Sequence, residues 1–223
     1  MKLRVASWAA VLCIASSAAM AQVQTAESQA AMTPAAALAR LREGNARFVA
    51  NAPQAHDWAK SVAATASGQY PFAAVLSCMD SRAPAEIVFD QGLGDVFSIR
   101  VAGNVVNDDE LGSLEYAAKV GAKLIVVMGH THCGAVHGAV EGVELGNLTG
   151  LLAKIQPSVT AAHCTDKKSE ACQQSVAEEN VRESMREIRA RSPYLAKALE
   201  AGKVELVGAM YDVSTGKVAF LPK

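Results

Sequence analysis

The sequence predicts an α/β fold: a mostly parallel central β-sheet with flanking helices, an N-terminal helical arm and a C-terminal edge hairpin. Two observations carry this prediction. Four apolar runs, FAAVLS (72–77), VFSIRVA (96–102), KLIVVMG (123–129) and KVELVGAMYDV (203–213), are continuous rather than alternating, as strands covered on both faces are. Helical patterns separate them: APAEIVFDQ, DDELGSLEYAAKVG, and a long stretch from about Cys133 to Ala201. Strands alternating with helices build parallel sheets.

Taken in order, the chain starts with a secretory signal. Lys2 and Arg4 precede an acid-free apolar stretch, and Ala19-Met20-Ala21 is a small-x-small cleavage site, so residues 1–21 read as a signal peptide. Cys13 lies inside it, with Leu12 before it where lipid attachment would want a small residue. The expected location is therefore across the inner membrane, in the periplasm. Residues 22–32, small and polar, read as a disordered leader. From there, 33–223 reads as a single domain. Thr33 is placed as a helix N-cap with Pro34 in the first turn, and Ala37, Leu38, Leu41 and Phe48 form one apolar stripe. At the other end, STGK reads as the turn that brings VAFL (218–221) back as an edge strand.

Net charge is −1, which leaves no electrostatic footprint for nucleic acid or anionic lipid. No stretch after the leader is apolar over a length that would span a bilayer. Beyond residue 21 the cysteines are Cys78, Cys133, Cys164 and Cys172. In an oxidising compartment the plain expectation is two disulfides.

The stretch VLSCMDSRAPAE (75–86) argues for a different use of the first two. Cys78 follows the first predicted strand. His130 follows the third, with Cys133 three residues later in MGHTHCGAV. Parallel sheets gather their sites at the carboxyl ends of strands, so these three residues are candidates for one centre. Two thiolates and an imidazole suit zinc better than a hard cation, and three protein ligands leave a position open for chemistry. The helix that begins at Gly134 directs positive dipole toward Cys133 and favours its thiolate. On spacing alone, His132 competes evenly with His130. Asp80 is placed to fill the fourth position or to orient water, and Arg82 to hold it in a charge-assisted pair. A Cys78–Cys133 disulfide is the competing reading, but it leaves Asp80, Arg82 and His130 without a role.

With CMDSR (78–82), GHTHCGAV (129–136) and LREGNARF (41–48) in this order, the chain resembles the β-class carbonic anhydrases over roughly Thr33 to Leu221. The resemblance implies one Zn2+ per chain on Cys78, His130 and Cys133, and so selects His130 over His132. It implies a catalytic Asp80–Arg82 dyad and reversible hydration of carbon dioxide to bicarbonate. It also implies a homodimer or dimer of dimers. Gln69 matches a position from which some members donate a hydrogen bond to substrate. Phe97 and Tyr116 match apolar wall positions contributed across the dimer interface. A backbone N–H near Gly134 is expected to join Gln69 in stabilising charge on bicarbonate oxygens. Two other readings fit the same residues: a carbonyl sulfide or carbon disulfide hydrolase on this scaffold, and a non-enzymatic zinc or redox-responsive binding protein.

Cys164 and Cys172 lie in the polar segment AAHCTDKKSEACQQ, far from these motifs. Exposed thiols persist poorly under oxidising conditions, so a Cys164–Cys172 disulfide is expected, stapling the turn between two helices.

Overall fold

The computed structural model describes residues 22–167 and 169–222. The expected signal peptide, residues 1–21, lies outside the described residues. Helix α1 (Ala26–Ala31) and α2 (Pro34–Val49) form the start of the described chain, and α3 (Trp58–Thr65) follows. The segment 22–32 is therefore not the disordered leader expected from composition. Thr25 and Ser28 cap α1 reciprocally, and the buried Gln29 side chain donates from Nε2 to the Pro71 carbonyl at 2.8 Å. One long-range hydrogen bond of this kind anchors a segment whose small residues give no periodic signal. Thr33 does cap α2, accepting from the Ala36 N–H, with Pro34 in the first turn.

Among the described residues, five strands form one sheet in the order β2-β1-β3-β4-β5. They are β1 (Ala73–Ser77), β2 (Val96–Arg100), β3 (Leu124–His130), β4 (Glu205–Tyr211) and β5 (Val218–Phe220). The first four are parallel, and β5 returns antiparallel to β4. The hairpin turn is held by Asp212, whose carboxylate accepts from Ser214 and Thr215. Those bonds lower its pKa to about 2.

Helix α4 (Ala85–Val88) lies between β1 and β2, and α5 (Asp108–Val120) between β2 and β3. After β3 come α6 (Gly134–Glu141), α7 (Gly146–Leu152), α8 (Gln156–Ala161), α9 (Glu170–Arg191) and α10 (Pro193–Glu200). Every residue of β1 and β3 is buried, which explains their continuous apolar sequence: both faces are covered. Strand alternation divides them. Ala73, Val75, Leu124, Val126 and Met128 pack with Ala37 and Leu41 of α2 and Val88 of α4. Ala74, Leu76, Ile125 and Val127 pack on the other face with α5, α6, α9 and α10. Burying each Leu, Ile or Val of these layers contributes about 1.5–3 kcal/mol. Gly129 lets α9 approach, since a Cβ there would lie 2.7 Å from the Val181 side chain.

The chain steps from β1 to β2 on one side, then crosses to β3 on the other. The crevice between the carboxyl ends of β1 and β3 is therefore the switch point of the sheet, where open α/β folds place ligands. No described helix is long and apolar enough to cross a membrane.

Cys164 and Cys172 are disulfide-bonded, with Cα atoms 5.5 Å apart. The bridge ties the loop after α8 to the first turn of α9, which Ser169 caps. The loop it closes is short, so replacing both cysteines by serine should cost about 2–3 kcal/mol and lower the Tm by about 5–10 °C. Peptide mapping without reductant should recover the two linked. An unchanged Tm in the double variant would show that the bridge contributes nothing.

Candidate metal centre

Three ligating side chains meet at the switch point. Cys78 is the residue after β1, His130 the last of β3, and Cys133 the N-cap of α6. All are buried, at 5%, 1% and 5% exposure, and their ligating atoms lie within 4.8 Å of one another. The sulfurs are 4.0 Å apart, so they are free thiols rather than a bridge. That separation is near the roughly 3.8 Å edge of a tetrahedron built on zinc–sulfur bonds of about 2.3 Å.

The His130 ring is oriented by its own backbone neighbour. Nδ1 lies 2.8 Å from the Thr131 carbonyl, which only accepts, so Nδ1 carries the proton and Nε2 presents its lone pair. Nε2 is buried without a hydrogen-bond partner. A buried polar atom left this way costs free energy unless a ligand takes it up. The orphaned nitrogen, facing two thiols, fits a soft or borderline metal such as zinc.

His132 is not part of the cluster. It takes a left-handed backbone (φ 53°), which turns the chain so that Cys133 comes back to face Cys78. Its own side chain is exposed, with Nδ1 3.9 Å from Glu170.

The thiols are electrostatically unequal. The hydrogen bond from Cys133 brings the Cys78 pKa down to about 4, against the opposing effect of burial. Sharing that proton with Cys78, together with burial, pushes Cys133 up, while the Ala135 and Val136 N–H groups of α6 pull it down. Burial disfavours the His130 cation, but the Cys78 sulfur and the Thr131 carbonyl outweigh it and leave the pKa raised. Gly103 also donates its N–H to the Cys78 sulfur at 3.3 Å. It has φ 68°, a conformation glycine adopts at little cost. Asn180 of α9 holds that turn by donating to the Gly103 carbonyl at 2.7 Å.

Asp80 stands beside the cluster, its Oδ2 3.9 Å from His130 Nε2. Arg82 grips it with two parallel bonds, Nε to Oδ1 at 2.9 Å and Nη2 to Oδ2 at 2.8 Å, and the Arg82 N–H adds a third at 2.9 Å. These bonds hold the Asp80 carboxyl far below the usual carboxylate range. Arg82 also reaches the His132 carbonyl at 3.4 Å, linking the two loops.

Of the remaining expected site residues, Gly134 adjoins the cluster, and Phe97 and Tyr116 line a different groove. Phe97 and Tyr116 meet edge-to-face with centroids 5.9 Å apart. They line a groove along β2 and α5 to which no residue of the cluster contributes. Tyr116 is 56% exposed. Gln69 is an exposed residue in the connection between α3 and β1. Gly134 opens α6 beside Cys133, with nothing within 4 Å of where a Cβ would stand. Sequence reasoning passed over the Thr131 carbonyl and the Gly103 N–H. The available signal was that VAGN follows a strand at its carboxyl end.

A mostly parallel α/β sheet with a Cys–His–Cys cluster and a held carboxylate at its switch point has the donor set of a metal-binding α/β protein. A carbonic anhydrase family model matches residues 73–218. The chain is 40% identical over 193 residues to carbonic anhydrase 2 of Mycobacterium tuberculosis, covering 82% of this chain and 91% of that one. The β-carbonic anhydrase CafA of Aspergillus fumigatus superposes with a TM-score of 0.67 at 26% identity, over 84% of this chain and 89% of that one. A tetrameric β-carbonic anhydrase of Sordaria macrospora gives a TM-score of 0.63 at 26% identity, over 71% and 84%. The chain belongs to the β-carbonic anhydrase family.

Proposed function

We propose that this chain is a zinc enzyme that reversibly hydrates carbon dioxide to bicarbonate and a proton, with one zinc ion on Cys78, His130 and Cys133. The observation that carries the reading is the orphaned His130 nitrogen facing two thiols, beside a carboxylate locked by Arg82. Bound zinc supplies Lewis acidity that makes water nucleophilic near neutral pH. Asp80 accepts the hydrogen bond of the attacking water and turns its lone pair toward the substrate carbon. Arg82 keeps Asp80 ionised and in place. The Gly134 N–H, at the free end of α6, steadies negative charge forming on the product oxygens.

Phe97, Tyr116 and Gln69 act at the site of a second copy in a homodimer or dimer of dimers. For Phe97 and Tyr116, the groove they line without any residue of the cluster supports this assignment. There the two rings wall an uncharged substrate, and Gln69 donates to it. The enzyme works outside the inner membrane, in the periplasm, a reading supported by the signal-like N-terminus and by the Cys164–Cys172 bridge, since such bonds persist in oxidising compartments.

Stopped-flow measurement of carbon dioxide hydration by the zinc-loaded protein, with carbonyl sulfide turnover alongside, tests the reaction. Hydration at least about a thousandfold above the buffer rate is expected, with negligible carbonyl sulfide turnover. Turnover of carbonyl sulfide alone would make the chain a hydrolase. Absence of both would make it a binding protein.

A further inference from the structure

Arg100 ends β2 and is exposed, yet its guanidinium is directed at the backbone of the metal loop. Nε donates to the Cys78 carbonyl at 3.2 Å and Nη2 to the Asp80 carbonyl at 2.5 Å. The two carbonyls flank Met79, so one planar group spans the peptide that connects a metal ligand to the dyad carboxylate. Among the described residues, Arg100 has no ion-pair partner.

The position follows from strand register. Ser77 is level with Arg100, and the Val101 N–H continues the pairing to the Ser77 carbonyl at 3.1 Å. Beyond that, Cys78 is held through its sulfur by the Gly103 N–H. Asp80 has no such strand partner. Its carbonyl receives the Ala83 N–H at 3.0 Å and Arg100, and among the described residues Arg100 is the residue of β2 hydrogen-bonded to it. A carboxylate that must aim a lone pair tolerates little displacement, because a shift near 1 Å costs on the order of a hundredfold in rate.

We infer that Arg100 is a positioning residue for the reaction: it clamps the Cys78 and Asp80 carbonyls and thereby sets the aim of the Asp80 carboxylate. This rests on the proposed role of Asp80. The fork of the guanidinium matters, since a lysine ammonium offers a single point and does not span both carbonyls in a plane. The opposing possibility is that Arg100 serves as an anchor for an anion such as bicarbonate, using its remaining N–H groups.

The test compares zinc-loaded wild type with Arg100→Ala and Arg100→Lys, alone and combined with Asp80→Asn. Both single variants should keep one zinc per chain and lose about 10- to 100-fold in kcat, with KM within about twofold. In the Asp80→Asn background, Arg100→Ala should cost less than about threefold, because the group through which it acts is already disabled. Hydrogen-exchange mass spectrometry should show the Arg82 and Ala83 amides of both variants exchanging faster than in wild type. The exchange readout stands whether or not the protein hydrates carbon dioxide, so inactive wild type would sink the proposed reaction and leave the clamp to be judged by exchange. Unchanged exchange and kcat would overturn the inference. So would an equal loss in the Asp80→Asn background, or a bicarbonate-dependent inhibition of wild type that Arg100→Ala abolishes.

Discussion

Cys78→Ser and Cys133→Ser will each leave the protein nearly free of zinc and without measurable carbon dioxide hydration. Serine keeps the volume of the side chain but is a poor ligand for a borderline metal near neutral pH. Losing even an outer partner of a ligand typically costs roughly 10- to 100-fold in metal affinity, and loss of a direct ligand should exceed that. Both residues are buried in the packed face beneath α6 and α9, and serine fits there, so the circular dichroism spectrum should survive. Metal analysis after dialysis against a weak chelator decides the matter. Full zinc occupancy in either variant would contradict the ligand set.

Asp80→Asn should retain zinc and lose about 100- to 1000-fold in kcat. The amide can still accept one bond from Arg82, but it has no charge and presents an N–H where the carboxylate presents a lone pair. The pH dependence adds a second check. Because Arg82 depresses the Asp80 pKa far below its ordinary value, the carboxylate is ionised throughout the range in which the enzyme works. The deficit of Asp80→Asn should therefore be uniform from about pH 6 to 9, since the wild-type carboxylate would lose its charge only well below its unperturbed pKa near 3.9. A deficit that vanished toward either end of this range would assign a different role to Asp80. Arg82→Ala should behave similarly, though less severely, because the Arg82 backbone N–H still holds Oδ1.

Strands were readable from the sequence because both faces of β1 and β3 are covered, which forces continuous apolar runs; β2, read as equally covered, is an edge strand with no fully buried residue. Caps such as Thr33 and the Cys164–Cys172 pairing were readable because each depends on residues a few positions apart. The same holds for Asp80 with Arg82 and for His130 with Cys133. Long-range contacts were not legible. Helix α1 stays folded through Gln29 and Pro71, 42 residues apart, and no local pattern signals that bond. The long stretch after Cys133 divides into five helices, two of them with a proline in the first turn, Pro157 and Pro193. Its boundaries needed the tertiary framework against which each short helix packs. On spacing, His130 and His132 stood equal. What separates them is the left-handed turn at His132 and the buried lone pair of His130. The Arg100 clamp depends on strand register, which a sequence states only indirectly.

The position of the cysteine pairs along the chain has a consequence for how the protein matures. Four thiols after residue 21 admit three pairings. Cys164 and Cys172 are separated by 8 residues, and Cys78 and Cys133 by 55. The entropy of closing a flexible loop grows as the logarithm of its length, so in the unfolded chain the short loop closes more readily by roughly twentyfold. In the complete unfolded chain, loop closure therefore favours oxidation of the helix-linking pair. The other two sulfurs then remain reduced until β1 and β3 come together and a metal can claim them. Distance along the polypeptide thus biases one pair toward covalent bonding and leaves the other available for coordination.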